Sequence, residues 1–195
     1  KEKFSKTPCV SVGYYARLSS PEIVESLIEG FSSSGVKVYN LGLITTPMSY
    51  FSMFSLEDVD GGIMVTGSHN PPEYNGFKIS MGKTTIFGDQ IQELKSFIED
   101  KNFLSGKGSV EEIDISDKYV ERYKTEFEDL KPIKVALDCG NGAAGSIVRK
   151  LYEAVGLSPE ILFEKPDGTF PNHHPDPTVE ENMSDLKALV KESGA

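Results

Sequence analysis

An α/β fold is predicted for this 195-residue chain, arranged as two three-layer α/β/α sandwich domains, the second of them incomplete. Three observations predict it. Apolar runs of strand length alternate with amphipathic stretches of helical period, and this β-α-β alternation restarts after a glycine- and serine-rich stretch at 102–109. The junctions carry the cap, proline and glycine residues that punctuate such elements. The restart puts the boundary near residue 114, giving units 1–114 and 115–195, each long enough to bury a core. The second unit stops after a helix, at Gly194 and Ala195, where a further strand is expected.

Residues 9–14 alternate apolar and small side chains as a strand does. Ser20, Pro21 and Glu22 then supply a cap, a first-turn proline and a first-turn acid. In the helix that follows, Ile23, Val24, Leu27, Ile28 and Phe31 share one face while Glu22, Glu25, Ser26 and Glu29 take the other, and Gly35 ends it. Residues 36–41 form the second strand, and Thr46 with Pro47 repeats the start signal for a short helix through Met48, Phe51 and Phe54. The third strand, 61–66, is apolar on both faces at Ile63, Met64 and Val65, as a central parallel strand should be. Beyond a polar loop come a short strand at 77–80 and an amphipathic helix at 89–98 carrying Ile91, Leu94, Phe97 and Ile98. The second unit opens with a charged helix, 117–130, that keeps Tyr119, Val120, Tyr123 and Phe127 for burial and is closed by Lys131 and Pro132. A strand at 133–139, a glycine-rich turn at 140–145, a helix at 147–155, a strand at 159–163 and a helix at 178–192 complete the pattern.

Composition narrows the function classes. Apolar residues make up 38% and charged residues 26%, the balance of a globular protein. Twenty basic against 30 acidic side chains leave a net charge of −10, which argues against a general nucleic-acid surface. A phosphorylated ligand would therefore need a local basic patch. No apolar stretch approaches the roughly 20 residues of a bilayer span, so no membrane partner is expected. Residues 1–6 are charged and lack a signal-peptide core, so a cytoplasmic location is expected. Cys9 and Cys139 suit buried, reduced thiols, although spacing alone leaves a single bridge open.

The most informative segment runs from Thr66 through Gly67, Ser68, His69, Asn70, Pro71, Pro72, Glu73, Tyr74, Asn75, Gly76 and Phe77 to Lys78. It follows a buried strand, at the strand end where open α/β sheets place their ligands. Two prolines and two glycines stiffen it, so that Ser68 can be presented as a nucleophile. His69 and Lys78 are the nearby groups able to hold an anion or move a proton, while Asn70 and Asn75 can fix turns through bonds to backbone. From the residues alone, a plain turn serine stands beside the nucleophile reading. Serine-hydrolase chemistry is disfavoured, because position 70 is Asn where the nucleophile elbow needs Gly, and adjacent side chains at 68 and 69 diverge.

This loop, with Gly62 to Val65 before it, resembles the phosphoserine loop of the α-D-phosphohexomutases, most closely the phosphomannomutase/phosphoglucomutase branch. Arg17 to Pro21 resembles the first strand-to-helix loop of that family; Leu41, Gly42, Leu43, Thr46 and Pro47 its second; Asp138 to Gly142 with Phe170 to Pro177 the start of its second domain. The resemblance implies two sandwich domains of the phosphohexomutase type. It also implies that Ser68 is phosphorylated and donates its phosphoryl group to a hexose phosphate, through a hexose 1,6-bisphosphate that serves as intermediate and activator. Mg2+ would bind an oxygen of the Ser68 phosphate and three aspartates that lie outside this chain. Lys78 matches an acid or base, His69 a contact to the reacting phosphate or sugar hydroxyl, and Arg17 a phosphate-facing arginine; together they form the basic patch that the charge balance demands. The expected partners are small-molecule hexose phosphates and further C-terminal domains of the same protein, and the chain alone is expected to be inactive. Tyr15 stands where the family carries an aspartate two residues before the arginine, which leaves the placement of Arg17 open. A phosphoglucosamine mutase and a non-catalytic sugar-phosphate-binding module are the alternatives. His173, His174 and Asp176 suggest a metal set, but two prolines make them a stiffened connection, and magnesium prefers oxygen donors. Gly140, Gly142 and Gly145 fit a dinucleotide spacing that is weak by itself; the family reading makes them a strand-to-helix turn.

Overall fold

The computed structural model describes residues 6–195, so the charged segment 1–5 lies outside the described residues. The first unit is built on a six-stranded sheet of order β5-β4-β3-β1-β2-β6. Its centre is β1 (Cys9–Tyr14), parallel to both β2 (Lys37–Leu43) and β3 (Gly61–Val65). Beyond β3, the strands β4 (Phe77–Met81) and β5 (Thr84–Thr85) run antiparallel as a hairpin. The other edge is β6 (Ser109–Glu112), parallel to β2.

Opposite faces of this sheet carry different cores. Val12, Val38 and Val65 pack with Val24 of α1 (Ser20–Ser33), whose apolar stripe includes the half-buried Ile23, Leu27, Ile28 and Phe31. On the other face, Leu41, Ile44 and Met64 pack with Met48 of α2 (Thr46–Ser55). Met64 and Val65, adjacent on β3, thus point into different layers, as the two-residue period of a strand requires. That period makes β3 read as a continuous apolar run, and all five of its residues are buried.

The second core does not stop at the boundary of the first unit. It continues into Ile115, Tyr119 and Val120 at the start of α4 (Ser116–Glu126) and reaches Ile147 beyond. The ring of Tyr119 meets Phe51 of α2 edge-on at 5.2 Å, and Tyr123 follows it at 5.0 Å. One helix therefore lies against α2 on one side and α5 (Val148–Ala154) on the other. The second unit continues with the parallel pair β7 (Ala136–Asp138) and β8 (Glu160–Leu162), with α6 (Ser184–Ser193) against β7. No helix among the described residues is long and apolar enough to cross a membrane.

Several local expectations are corrected. Ser20 does not cap α1: the cap position is Ser19, and neither hydroxyl bonds a helix N–H, because both accept from Asn75 Nδ2, at 3.0 and 3.1 Å. At α2 the cap position is Thr45, and Thr46 donates instead to the Tyr15 hydroxyl at 3.4 Å. The glycine-rich stretch 102–109 is tied to the first unit. Gly106 and Gly108 donate to the Ser33 and Ser32 carbonyls at 2.8 and 2.7 Å, so the chain lies directly against the end of α1 before entering β6. A Cβ on Gly106 would sit 2.9 Å from Gly35 Cα, which is why glycine is needed there. The amphipathic helix α3 (Asp89–Glu99) is present, but none of its residues is buried. The charged helix α4 ends at Glu126, leaving Phe127 exposed at its C-cap. In the turn after β7, Asn141 donates its backbone N–H to the Phe163 carbonyl and its side chain to the Lys165 carbonyl. Those donors are therefore spent inside the protein rather than on a pyrophosphate. Both cysteines are free thiols; burial, aided by the charges of Glu164 and Asp138, pushes Cys139 up to about 11.

Candidate active site

The segment 66–76 leaves the C-terminal end of β3 and returns into β4, and its ends are tied by Thr66 N–H donating to the Gly76 carbonyl at 2.9 Å. Inside this closure the loop is pinned residue by residue. Ser68 N–H donates to Thr66 Oγ1 at 3.0 Å, and Asn70 bonds the Gly67 carbonyl through both its backbone N–H (3.1 Å) and its side-chain amide (2.8 Å). Tyr74 N–H donates to the Pro71 carbonyl, and Asn75 Oδ1 accepts from Gly76 N–H. Asn70 and Asn75 thus perform the turn-fixing expected of them.

Ser68 itself is exposed and has a φ of +54°, a left-handed conformation that a non-glycine residue adopts at a cost of roughly 1 kcal/mol or more. The strain needs an opposing constraint, and Arg17 supplies one. Its guanidinium is buried under the loop, with Nη1 donating to the Pro71 and Tyr74 carbonyls at 2.7 and 2.8 Å and Nη2 to the Ser68 and Asn70 carbonyls at 2.9 and 2.6 Å. These four bonds engage both terminal nitrogens inside the protein; the forked donors expected to meet a phosphate meet backbone instead. Nε has no partner, and no carboxylate forms an ion pair with Arg17 among the described residues. Burial accordingly lowers its pKa, with Glu73 opposing through its charge. Gly67 makes the arrangement possible: a Cβ there would lie 2.6 Å from both Arg17 Nε and the Tyr74 carbonyl oxygen. The open question of Tyr15 is answered by these carbonyls, which orient Arg17 with no aspartate at position 15.

His69 follows Ser68 with an exposed side chain and helps line a crevice of about 220 Å³ together with Asp138, Gly140, His173, Asp176 and Leu186. Lys78 lies on β4 directly opposite Met64 of β3, with its side chain exposed and in no ion pair among the described residues. The structure therefore brings Ser68, His69 and Arg17 into one loop assembly, with Lys78 on the strand that leaves it. Two further residues reach this assembly through contacts the sequence reading does not foresee. Phe170 lies with its ring 5.6 Å from Arg17 Cζ, and His174 donates Nε2–H to the His69 carbonyl at 3.0 Å. The segment containing them resembles the start of the family's second domain and is notable for its histidines, but no spacing rule announces a contact over 105 residues.

The class defined here is an α/β/α sandwich with an exposed serine in a pinned, left-handed loop at a strand's carboxyl end, where open α/β sheets place their ligands. Comparison with known proteins gives the class its family. The model of phosphoglucomutase/phosphomannomutase α/β/α domain I matches residues 1–105, and that of domain II matches residues 117–195. The chain belongs to the phosphoglucomutase/phosphomannomutase family. A phosphomannomutase/phosphoglucomutase of Pseudomonas aeruginosa PAO1 is 47% identical over 188 residues, covering 96% of this chain and 40% of that protein. A phosphoglucomutase of Neisseria meningitidis serogroup B is 44% identical, with 95% and 41% covered. The crystal structure of a phosphoglucomutase/phosphomannomutase family protein from Burkholderia thailandensis superposes with a TM-score of 0.91 at 43% identity, covering 96% of this chain and 43% of that one. The chain thus spans about two-fifths of the length of the curated relatives it matches.

Proposed function

We propose that this chain is the phosphoserine-bearing part of a phosphohexomutase, and that Ser68 carries and transfers the phosphoryl group. The observation that carries the reading is the exposed, left-handed Ser68 at the end of β3, held there by four carbonyl bonds to one buried guanidinium. In the transfer, a hydroxyl oxygen of a hexose phosphate attacks the phosphorus, the bond from phosphorus to Ser68 Oγ breaks, and a hexose 1,6-bisphosphate results; the reverse transfer from its other end restores phosphoserine. His69 and Lys78 are the side chains that take up or return the hydroxyl proton and offset charge on the moving group. Arg17 serves as a positioning residue whose charge lies beneath the serine, where a dianionic phosphate is favoured. Glucose and mannose phosphates are the substrate class, and further domains of a longer protein would read the sugar.

Magnesium fits the reading only in part. Among the described residues no group of three or more His, Cys, Asp or Glu side chains could hold a metal ion. A phosphorylated Ser68 would offer such a cation one phosphate oxygen, and the cation would offset charge on the moving group. Intact-mass measurement tests the proposal: the chain as isolated from cells should carry one phosphate, and Ser68→Ala should lose it. A phosphate retained in Ser68→Ala, or a parent chain that takes up none from a hexose 1,6-bisphosphate, would refute the assignment.

A further inference from the structure

The segment 170–177 has no task in the phosphoryl-transfer reading, yet it reaches from the second unit onto the serine loop of the first. Phe170 backs the Arg17 guanidinium. Gly168, just before it, packs so closely that a Cβ would lie 2.7 Å from the Ala16 carbonyl oxygen. His174 donates to the carbonyl of His69, the residue next to the nucleophile. Behind His174 stands His173, with Nε2 3.0 Å from Asp138 Oδ2 and Nδ1 2.9 Å from the His174 carbonyl oxygen. The other Asp138 oxygen accepts from Gly140 N–H at 2.7 Å. A carboxylate and a carbonyl are both acceptors, so both His173 contacts are hydrogen bonds only when both ring nitrogens carry protons. Around the ring stand Gly140, Phe163 edge-on at 5.4 Å, and the charge of Asp185 on α6, while His69 and Asp176 line the same crevice.

We infer that His174 is a positioning residue for the serine loop, and that the imidazolium of His173, locked between Asp138 and the His174 carbonyl, holds it in place. The second unit thereby clasps the loop of the first, and the clasp depends on a proton. Its meaning for catalysis rests on the phosphoryl-transfer reading; its geometry does not. Burial alone would lower the pKa of His173, but the bonds to the His174 carbonyl and to Asp138, with the charges of Asp138 and Asp185, outweigh burial and raise it. A group whose folded value is raised contributes its full stabilisation below the ordinary histidine range and loses it as pH rises through the folded value. The clasp is therefore tight at mildly acid pH and loosens on the alkaline side of the His173 titration.

Amide hydrogen exchange on the 195-residue chain tests this, read at the loop-bonded amides of Thr66, Ser68, Asn70 and Tyr74. His174→Ala should speed their exchange about fivefold, the loss of one hydrogen bond, while the amides of β1 and β3 stay as protected as before. His174→Gln, whose amide can donate to the same carbonyl, should restore most of the protection. In the parent chain, after correction for intrinsic rates, loop protection should fall as pH rises through the His173 titration followed by imidazole NMR, and His173→Gln should abolish that dependence. Unchanged loop exchange in His174→Ala overturns the inference, and so does loop protection that ignores the His173 titration. If His174→Ala fails to fold, the pH series on the parent chain decides. No readout needs phosphate, so a Ser68 that never becomes phosphorylated would sink the phosphoryl-transfer reading and leave the clasp standing.

Discussion

At the scale of single residues, Arg17 shows how a charge can be spent on architecture. It is 3% exposed, lacks a bonded carboxylate, and donates to four loop carbonyls, of which Pro71 also accepts from Tyr74 N–H. Replacing it by Ala should cost about 3 kcal/mol in urea unfolding, because four loop carbonyls lose a charged donor all at once. Arg17→Lys should recover less than half of that, since one ammonium cannot span the positions that two guanidinium nitrogens reach. A stability change under about 1 kcal/mol in Arg17→Ala would mean that the loop holds its shape unaided. Sequence reading singles out Ser68 and Arg17 together, but not the four backbone carbonyls that the arginine engages. The reason is physical: its partners are backbone oxygens, which every residue carries and no motif spells. Ser19 and Ser20 mislead in the same way, since a serine ahead of a helix looks like a cap whether its oxygen serves the helix or, as here, Asn75.

Among the elements, β1 and β3 are read nearly residue for residue, because β1 alternates apolar with small side chains and β3 is a short apolar run opened by two glycines. Helix α3 is legible as a helix, but its exposed Phe97 and Ile98 are not, because periodicity defines an apolar face without saying what covers it. Helix α4 shows the opposite case. Its Tyr119 and Val120 are read as buried from the sequence, and they are; what they cover is not legible there, for they complete a core begun by Leu41, Met48 and Met64. Tyr119→Ala should therefore cost about 3 kcal/mol and lower the thermal midpoint of both units in one transition. Two separated transitions, with the first unit unaffected, would show that α4 is not shared between the cores.

For the molecule as a whole, the acidic balance and the single buried guanidinium under the serine belong together. With a net charge of −10, an anion gains nothing from the general field, so binding has to rely on local donors. We expect the isolated chain to show little or no mutase turnover in a coupled assay with magnesium and bisphosphate activator, because it spans 40% of the P. aeruginosa relative. Turnover approaching that of a full-length relative would contradict this. The placement of β6 carries a last consequence, for how the chain is made. The strand that closes the edge of the first sheet arrives only at residues 109–112, and α4 begins at residue 116, almost immediately behind it. On the ribosome, the nascent first unit waits with β2 unpaired along one side until Glu112 has emerged, and the residues that release it from waiting are followed directly by the helix that commits it to its neighbour.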